Sequence, residues 1–158
     1  MKINNIEKGS LNGVELIQIK NFQDSHGILS VLISQGRTDA PNAKEIGEVY
    51  LVSVPRSNTT RASHKHKHLD EFFVIIEGSA KFFLLDDRKD SSTFGQYQEL
   101  MLSPKDYFLV TIPPFIWNGF KGLDDSESII ANCLTLPHNE KEMVRKDVFD
   151  KSFSYKWY

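Results

Sequence analysis

Apolar positions fall in short runs separated by turn formers. The runs Gly13–Ile19, Ile28–Ile33, Val49–Val54, Phe72–Ile76, Ala80–Leu85, Gln98–Leu102, Tyr107–Ile112 and Ser128–Thr135 carry Val, Ile, Phe and Tyr. These side chains suit a pleated, half-buried surface, so each run predicts a strand. Asp24-Ser25-His26-Gly27, Pro41-Asn42, Glu77-Gly78, Ser103-Pro104 and similar clusters punctuate them. Eight strand-like runs with short connections predict an all-β sandwich or jelly roll. Helical periodicity is weak. Its best instance is Asn139–Phe149, beyond Pro137, where Met143 and Val144 form one short apolar face, and a short C-terminal helix is expected there. No repeat or linker divides the chain, so residues 1–158 are expected to form one domain.

Composition narrows the function classes. The 158 residues are 40% hydrophobic, enough for one real core. With 19 Lys+Arg against 21 Asp+Glu, the formal net charge is -2, and no basic excess points to nucleic acid or to an anionic membrane. The first fifteen residues lack an apolar signal core, and no apolar run approaches the ~20 residues needed to span a bilayer. A single cysteine, Cys133, fits a reducing compartment. A soluble, cytoplasmic domain is expected.

Three of the five histidines lie within five residues, in Arg61-Ala62-Ser63-His64-Lys65-His66-Lys67-His68-Leu69-Asp70-Glu71. If this stretch is extended, strand alternation puts His64, His66 and His68 on one face. Such a face is a metal site, an acid–base site or a solvated edge. His68, between charged neighbours, reads as surface, and His26 and His138 read as solvated turn residues.

The spacing His64-x-His66, four residues, Glu71, six residues, Gly78 resembles the first motif of the cupin superfamily, a jelly-roll fold. In metal-binding cupins the two His and the Glu are ligands. The second motif usually adds a His after a Pro-rich turn. Here that turn is Ile112-Pro113-Pro114-Phe115-Ile116-Trp117-Asn118-Gly119-Phe120, with Asn118 at the His position. An amide is a poor ligand for such metals. Asn58 also replaces the Gly that usually opens the first motif.

Asp24-Ser25-His26-Gly27, Arg61-Ala62-Ser63-His64, Asp87–Gly95 with its Ser-x-Thr-Phe-Gly block, and Ile112–Phe120 together resemble dTDP-4-dehydrorhamnose 3,5-epimerases, which are metal-free cupins. Glu48-Val49-Tyr50-Leu51, followed by Arg61 to Gly78, is similar to the WxcM-like dTDP-4-keto-6-deoxyglucose 3,4-ketoisomerases. These also use no metal, and their paired histidines line the sugar pocket. Both families remove a proton α to a C4 ketone and reprotonate elsewhere, which suits imidazole.

The resemblance implies His64 as base, with Asp150 (or Asp147) orienting it, His66 as second acid–base group or oxyanion donor, and Tyr50 as acid. Arg61, with Arg88 or Lys81, would grip the diphosphate of a sugar nucleotide. Trp117 or Tyr97 would stack on the base, and Glu71 and Asn118 would line the substrate pocket. The chain departs from the epimerase pattern at Glu71, which stands where that family has a Lys, and near Asn132, where it has a catalytic Tyr. No cofactor is implied, and a homodimer is, since both families are dimeric. The alternatives are a metal-dependent cupin using His64, His66 and Glu71, and a non-catalytic sugar-nucleotide-binding module.

Overall fold

The structure, a computed structural model, describes residues 6–8, 10–55, 59–147, 150–153 and 155. Thirteen strands are present among them: β1 (Ile6–Lys8), β2 (Glu15–Gln18), β3 (Asn21–Asp24), β4 (Gly27–Ser30), β5 (Glu48–Val54), β6 (Thr60–His66), β7 (Glu71–Glu77), β8 (Ala80–Asp86), β9 (Tyr97–Leu102), β10 (Phe108–Ile112), β11 (Ile116–Gly122), β12 (Ser128–Leu134) and β13 (Met143–Arg145). One sheet runs β1-β2-β10-β7-β12-β5, and the other runs β13-β6-β11-β8-β9. From β5 to β12 the chain crosses between the sheets at every step except the β8–β9 hairpin, so β5, β12, β7 and β10 face β6, β11, β8 and β9. That order is the jelly roll, and the fold is the cupin type expected.

Alternation along the strands decides what lies between the sheets. Phe73 and Ile75 of β7, Phe82 and Leu84 of β8, Phe120 of β11 and Ile130 of β12 form the central core. The rings of Phe73, Phe82 and Phe120 meet with centroids 5.2 to 5.9 Å apart. β7 is buried on both faces, because Phe72 and Val74 turn outward into a second cluster with Ile17, Leu109 and Ala43. A strand covered twice reads as a continuous apolar run, which Phe72–Ile76 is. Gly78 makes the tight crossing from β7 to β8, between the two sheets, at φ 73°, where a Cβ would lie 2.5 Å from Ser128 Oγ.

Three local expectations are corrected. The predicted helix over 139–149 is absent: Met143–Arg145 is a strand antiparallel to β6, with Met143 opposite His66 and Arg145 opposite His64. Met143 and Val144 are adjacent, so they give no stripe at helical spacing, and the open edge of β6 pairs their backbone instead. Val148 and Phe149 lie outside the described residues. Ile116–Gly122, outside the eight predicted strands, is a central strand between β6 and β8. The run Ile28–Ile33 is a strand only to Ser30, in a separate hairpin of β3 and β4. No helix among the described residues is long and apolar enough to cross a membrane.

Phe115 adopts φ 62°, a left-handed conformation that costs a non-glycine residue roughly 1–2 kcal/mol. At 41% exposure the ring still buries more than half of its surface, with Lys65 Nζ 5.8 Å from its centroid, and that burial offsets the strain. Phe115→Ala, which keeps the strained backbone and loses the ring, is therefore expected to destabilise the protein by about 1–2 kcal/mol. The check is a melting temperature lowered by ~2–8 °C; an unchanged or higher value counts against the burial.

Candidate active site

β6 enters the site carrying His64 and His66 on its inner face. Their rings meet edge to face with centroids 5.2 Å apart. Between Arg61 and His64 the strand holds one residue more than its partner: Asn118 pairs with His64, but Phe120 pairs with Arg61. This bulge shifts the alternation, so that Arg61 shares the inner face with the histidines instead of pointing away.

Beneath the imidazoles lies Glu71, the first residue of β7, only 1% exposed. Its carboxylate is bonded on both oxygens. Oε2 accepts from Asn118 Nδ2 at 2.5 Å, and Oε1 accepts from Asn132 Nδ2 at 3.0 Å. His64 Nε2 stands 3.2 Å from Oε1, and His66 Nε2 stands 3.6 Å from it. Burial alone would raise the Glu71 pKa, but His64 and His66 outweigh it and hold the carboxyl well below the usual range. Asn132 also accepts from Phe72 N and donates to Tyr50 OH at 2.8 Å, which joins β5, β7 and β12. Burial and the nearby Glu71 push the Tyr50 hydroxyl up to about 12, so the phenol keeps its proton near neutrality.

His66 is 3% exposed, and its Nδ1 bonds to Glu142 Oε1. Burial alone would lower its pKa, yet the facing carboxylates of Glu71 and Glu142 win and raise it. His64 is the more open imidazole, with a side chain 19% exposed.

Both histidines line a cavity of about 770 Å³. Tyr50 and Arg61 line it too, and Phe73 and Phe120 supply apolar wall. Sequence reasoning missed other lining residues: Glu48, Arg145, Lys146 and His138, the last read as a solvated turn residue. Arg145 could not be foreseen, since its segment reads as helix, whereas pairing with β6 sets it across from His64. Glu142 and Asn132 were missed as well, because each meets the site from more than sixty residues away in sequence.

Other expected site residues do not line the cavity. Asp150 does not reach His64: its carboxylate accepts from Ser152 N at 2.8 Å, and the group beside His64 is Glu71. Trp157, the residue from which Asp150 is counted, lies outside the described residues, as does Asn58. Asp147, the other acid considered, lines the cavity. Glu71 and Asn118 lie under the histidines as buried support, with no open face for a substrate.

Trp117 alternates with Asn118 and therefore faces outward. There it donates to Asp87 at 3.1 Å, packs against Phe153 and sits under Lys65. Tyr97 also lies on the outer face, near Tyr155 and Phe83. Arg88 forks onto buried Asp86, whose Oδ2 also accepts from Ser91 and Thr93 at 2.6 Å. The Ser-x-Thr-Phe-Gly block thus staples the β8–β9 loop, and none of its residues lines the histidine cavity.

Ligand atoms of His64, His66 and Glu71 lie within 4.8 Å of one another, close enough to converge on a cation. The carboxylate is already committed to two amide donors, however, and a metal would have to compete with them. The donor set fits an imidazole–carboxylate cluster better than a metal centre.

A family model described as "FdtA: WxcM-like, C-terminal" matches residues 12–148. The "Probable low-salt glycan biosynthesis epimerase Agl13" of Haloferax volcanii is 25% identical over 120 residues, covering 75% of this chain and 77% of that protein. The spore coat polysaccharide biosynthesis protein SpsL of Bacillus subtilis is 23% identical over 150 residues, 93% and 96% of the two chains. Among solved structures, a dTDP sugar isomerase from Desulfovibrio desulfuricans G20 superposes with a TM-score of 0.83 at 26% identity, covering 93% of this chain and 92% of that one.

Proposed function

The chain belongs to the WxcM-like, C-terminal family, and from that footing we propose a sugar-nucleotide isomerase or epimerase acting on a dTDP-4-keto-6-deoxyhexose in polysaccharide biosynthesis. The observation that carries this reading is the pair of imidazoles set over one buried carboxylate at the wall of a cavity with a cationic rim.

His64, the accessible imidazole, takes the proton α to the C4 ketone. The C–H electron pair moves into the enolate, and negative charge gathers on the C4 oxygen. Glu71 orients the ring, the part the sequence assigned to Asp150. A donor must meet that oxygen. His66, whose charged form the carboxylates of Glu71 and Glu142 favour, supports this role, with the Tyr50 hydroxyl beside Asn132 as the acid for reprotonation. Asn132 stands near the position where the epimerases carry their Tyr, and its cross-strand partner Tyr50 brings a phenol to the same neighbourhood. Arg61 and Arg145 stand on the inner face of adjacent strands, and guanidinium groups fork onto phosphate oxygens, so these two replace Arg88 as the diphosphate grip.

The reading extends to a cytoplasmic homodimer without a cofactor, each domain complete in itself. Edge strand β5 exposes Val49 and Leu51, and the β3–β4 hairpin exposes Ile28 and Leu29, apolar surface that a second copy would cover.

Incubation with dTDP-4-keto-6-deoxyglucose in deuterated water tests the chemistry. Deuterium is expected at C3, with a new 3-keto product for a ketoisomerase, or at C3 and C5 for an epimerase. The same exchange is expected after exhaustive chelation. No incorporation despite tight binding would leave a binding module, and activity lost on chelation would revive the metal reading.

A further inference from the structure

We infer that Glu142 is a positioning residue for the reaction: it grips the His66 ring at Nδ1 and thereby keeps Nε2 aimed toward Glu71 and the cavity. Its two oxygens are divided between tasks. Oε1 takes the imidazole, and Oε2 accepts from Lys67 N at 2.9 Å and His68 N at 3.2 Å. The carboxylate is therefore fixed by the backbone that continues from the ring it holds.

The segment carrying Glu142 is itself tied down. Glu142 N donates to Asn139 O at 3.1 Å, Lys141 N donates to Asn139 Oδ1 at 3.0 Å, and Lys67 Nζ donates to Lys141 O at 3.1 Å. Directly after it, β13 pairs Met143 with His66. The groups facing His66 are then Glu142 from this strap, Glu71 from β7, His64 from β6 and Met143 from β13.

A carboxylate on Nδ1 keeps an N–H there in the neutral and in the charged ring alike, so the proton given to the C4 oxygen and regained is the one on Nε2. Nε2 is left as the exchanging nitrogen, 3.6 Å from Glu71 Oε1 and so not locked into a bond. His64 is set the other way, with its Nε2 on Glu71 at 3.2 Å. The two rings thus present opposite nitrogens to their fixed carboxylates, and opposite ones remain for chemistry. Glu142 has no part in binding substrate; it acts through His66.

The kinetic part of the test rests on the proposed isomerase activity, and the spectroscopic part does not. Glu142→Gln offers a single acceptor oxygen for three N–H groups and turns an NH₂ toward one of them. In uniformly ¹⁵N-labelled full-length protein, the His66 ring signals, assigned by their loss in His66→Gln, are expected to show Nδ1–H in the wild type. In Glu142→Gln they are expected to shift to a mixture of tautomers. With dTDP-4-keto-6-deoxyglucose, kcat is expected to fall on the order of 100-fold while KM stays within about threefold, with a displaced pH profile.

Glu142→Asp, which keeps the charge, is expected to recover part of the rate and of the wild-type tautomer; it also serves as the probe if Glu142→Gln does not fold. Unchanged His66 ring signals in the variant would overturn the inference, as would a melting-temperature drop with kcat and tautomer unmoved. If the wild type turns over no sugar substrate, the isomerase reading fails, and the ring signals still decide the role of Glu142.

Discussion

His64→Asn is expected to lower kcat by about 10³-fold while leaving sugar-nucleotide affinity within a fewfold. Removal of a positioned general base commonly costs ~10²–10⁴ in rate. A smaller loss would require a second free base on the cavity wall, and His66, with its Nδ1 on Glu142, serves there as the donor instead. Asn keeps a short polar side chain that can still donate to Glu71, so the carboxylate below keeps a partner in place of the imidazole. The measurements are calorimetric binding of the nucleotide sugar and the rate of deuterium wash-in. A variant that exchanges deuterium within tenfold of the wild type would move the base elsewhere, with Asp147 the next acid or base on the cavity wall.

Glu71→Gln is expected to cost stability on the order of 3 kcal/mol and to abolish turnover. The carboxylate accepts from Asn118 and Asn132 and faces two imidazoles, and an amide in its place points an NH₂ at one of those donors. Breaking a buried charge pair by removing one partner typically costs ~3–5 kcal/mol.

The pH dependence follows from the two shifts. The folded Glu71 pKa is below the ordinary 4.5, so its contribution is complete above that value and disappears as pH falls through the folded pKa. The folded His66 pKa is above the ordinary 6.5, so its contribution is complete below that value and is lost as pH rises through the folded one. Stability from the cluster is thus fullest between roughly pH 4.5 and 6.5, the window left by the two ordinary values. Chemical denaturation across pH is expected to show that maximum in the wild type and a flatter curve in Glu71→Gln. Equal curves would mean that the buried charge contributes nothing.

The strands most legible in the sequence are those whose side chains are apolar on a buried face, such as Ala80–Leu85 and Ser128–Thr135. β11 was hidden because Pro113 and Pro114 precede it, Gly119 sits at its centre and Gly122 at its end, and one of its inward residues is the buried amide Asn118. β13 was hidden for another reason: three residues carry no period of their own, and only the free edge of β6 makes them a strand. The site divides in the same way. His64, His66, Tyr50 and Arg61 line one cavity, and they were legible because three of them sit in a motif and Tyr50 in a clear strand. Glu142 and Arg145 come from the misread helix. Arg88, Ser91 and Thr93 form the most specific motif, yet the chemistry they serve is the anchoring of Asp86.

The extra residue between Arg61 and His64 makes chain length a control separate from side-chain identity. Shortening that stretch by two would set Arg61 next to His64 in a strictly alternating strand, turn the guanidinium to the opposite face and leave both imidazoles over Glu71. Shortening it by one would remove the bulge and keep the guanidinium inward. Grip on an anionic substrate and proton transfer are therefore adjustable one without the other on this strand: the first by an insertion or deletion, the second only by substitution.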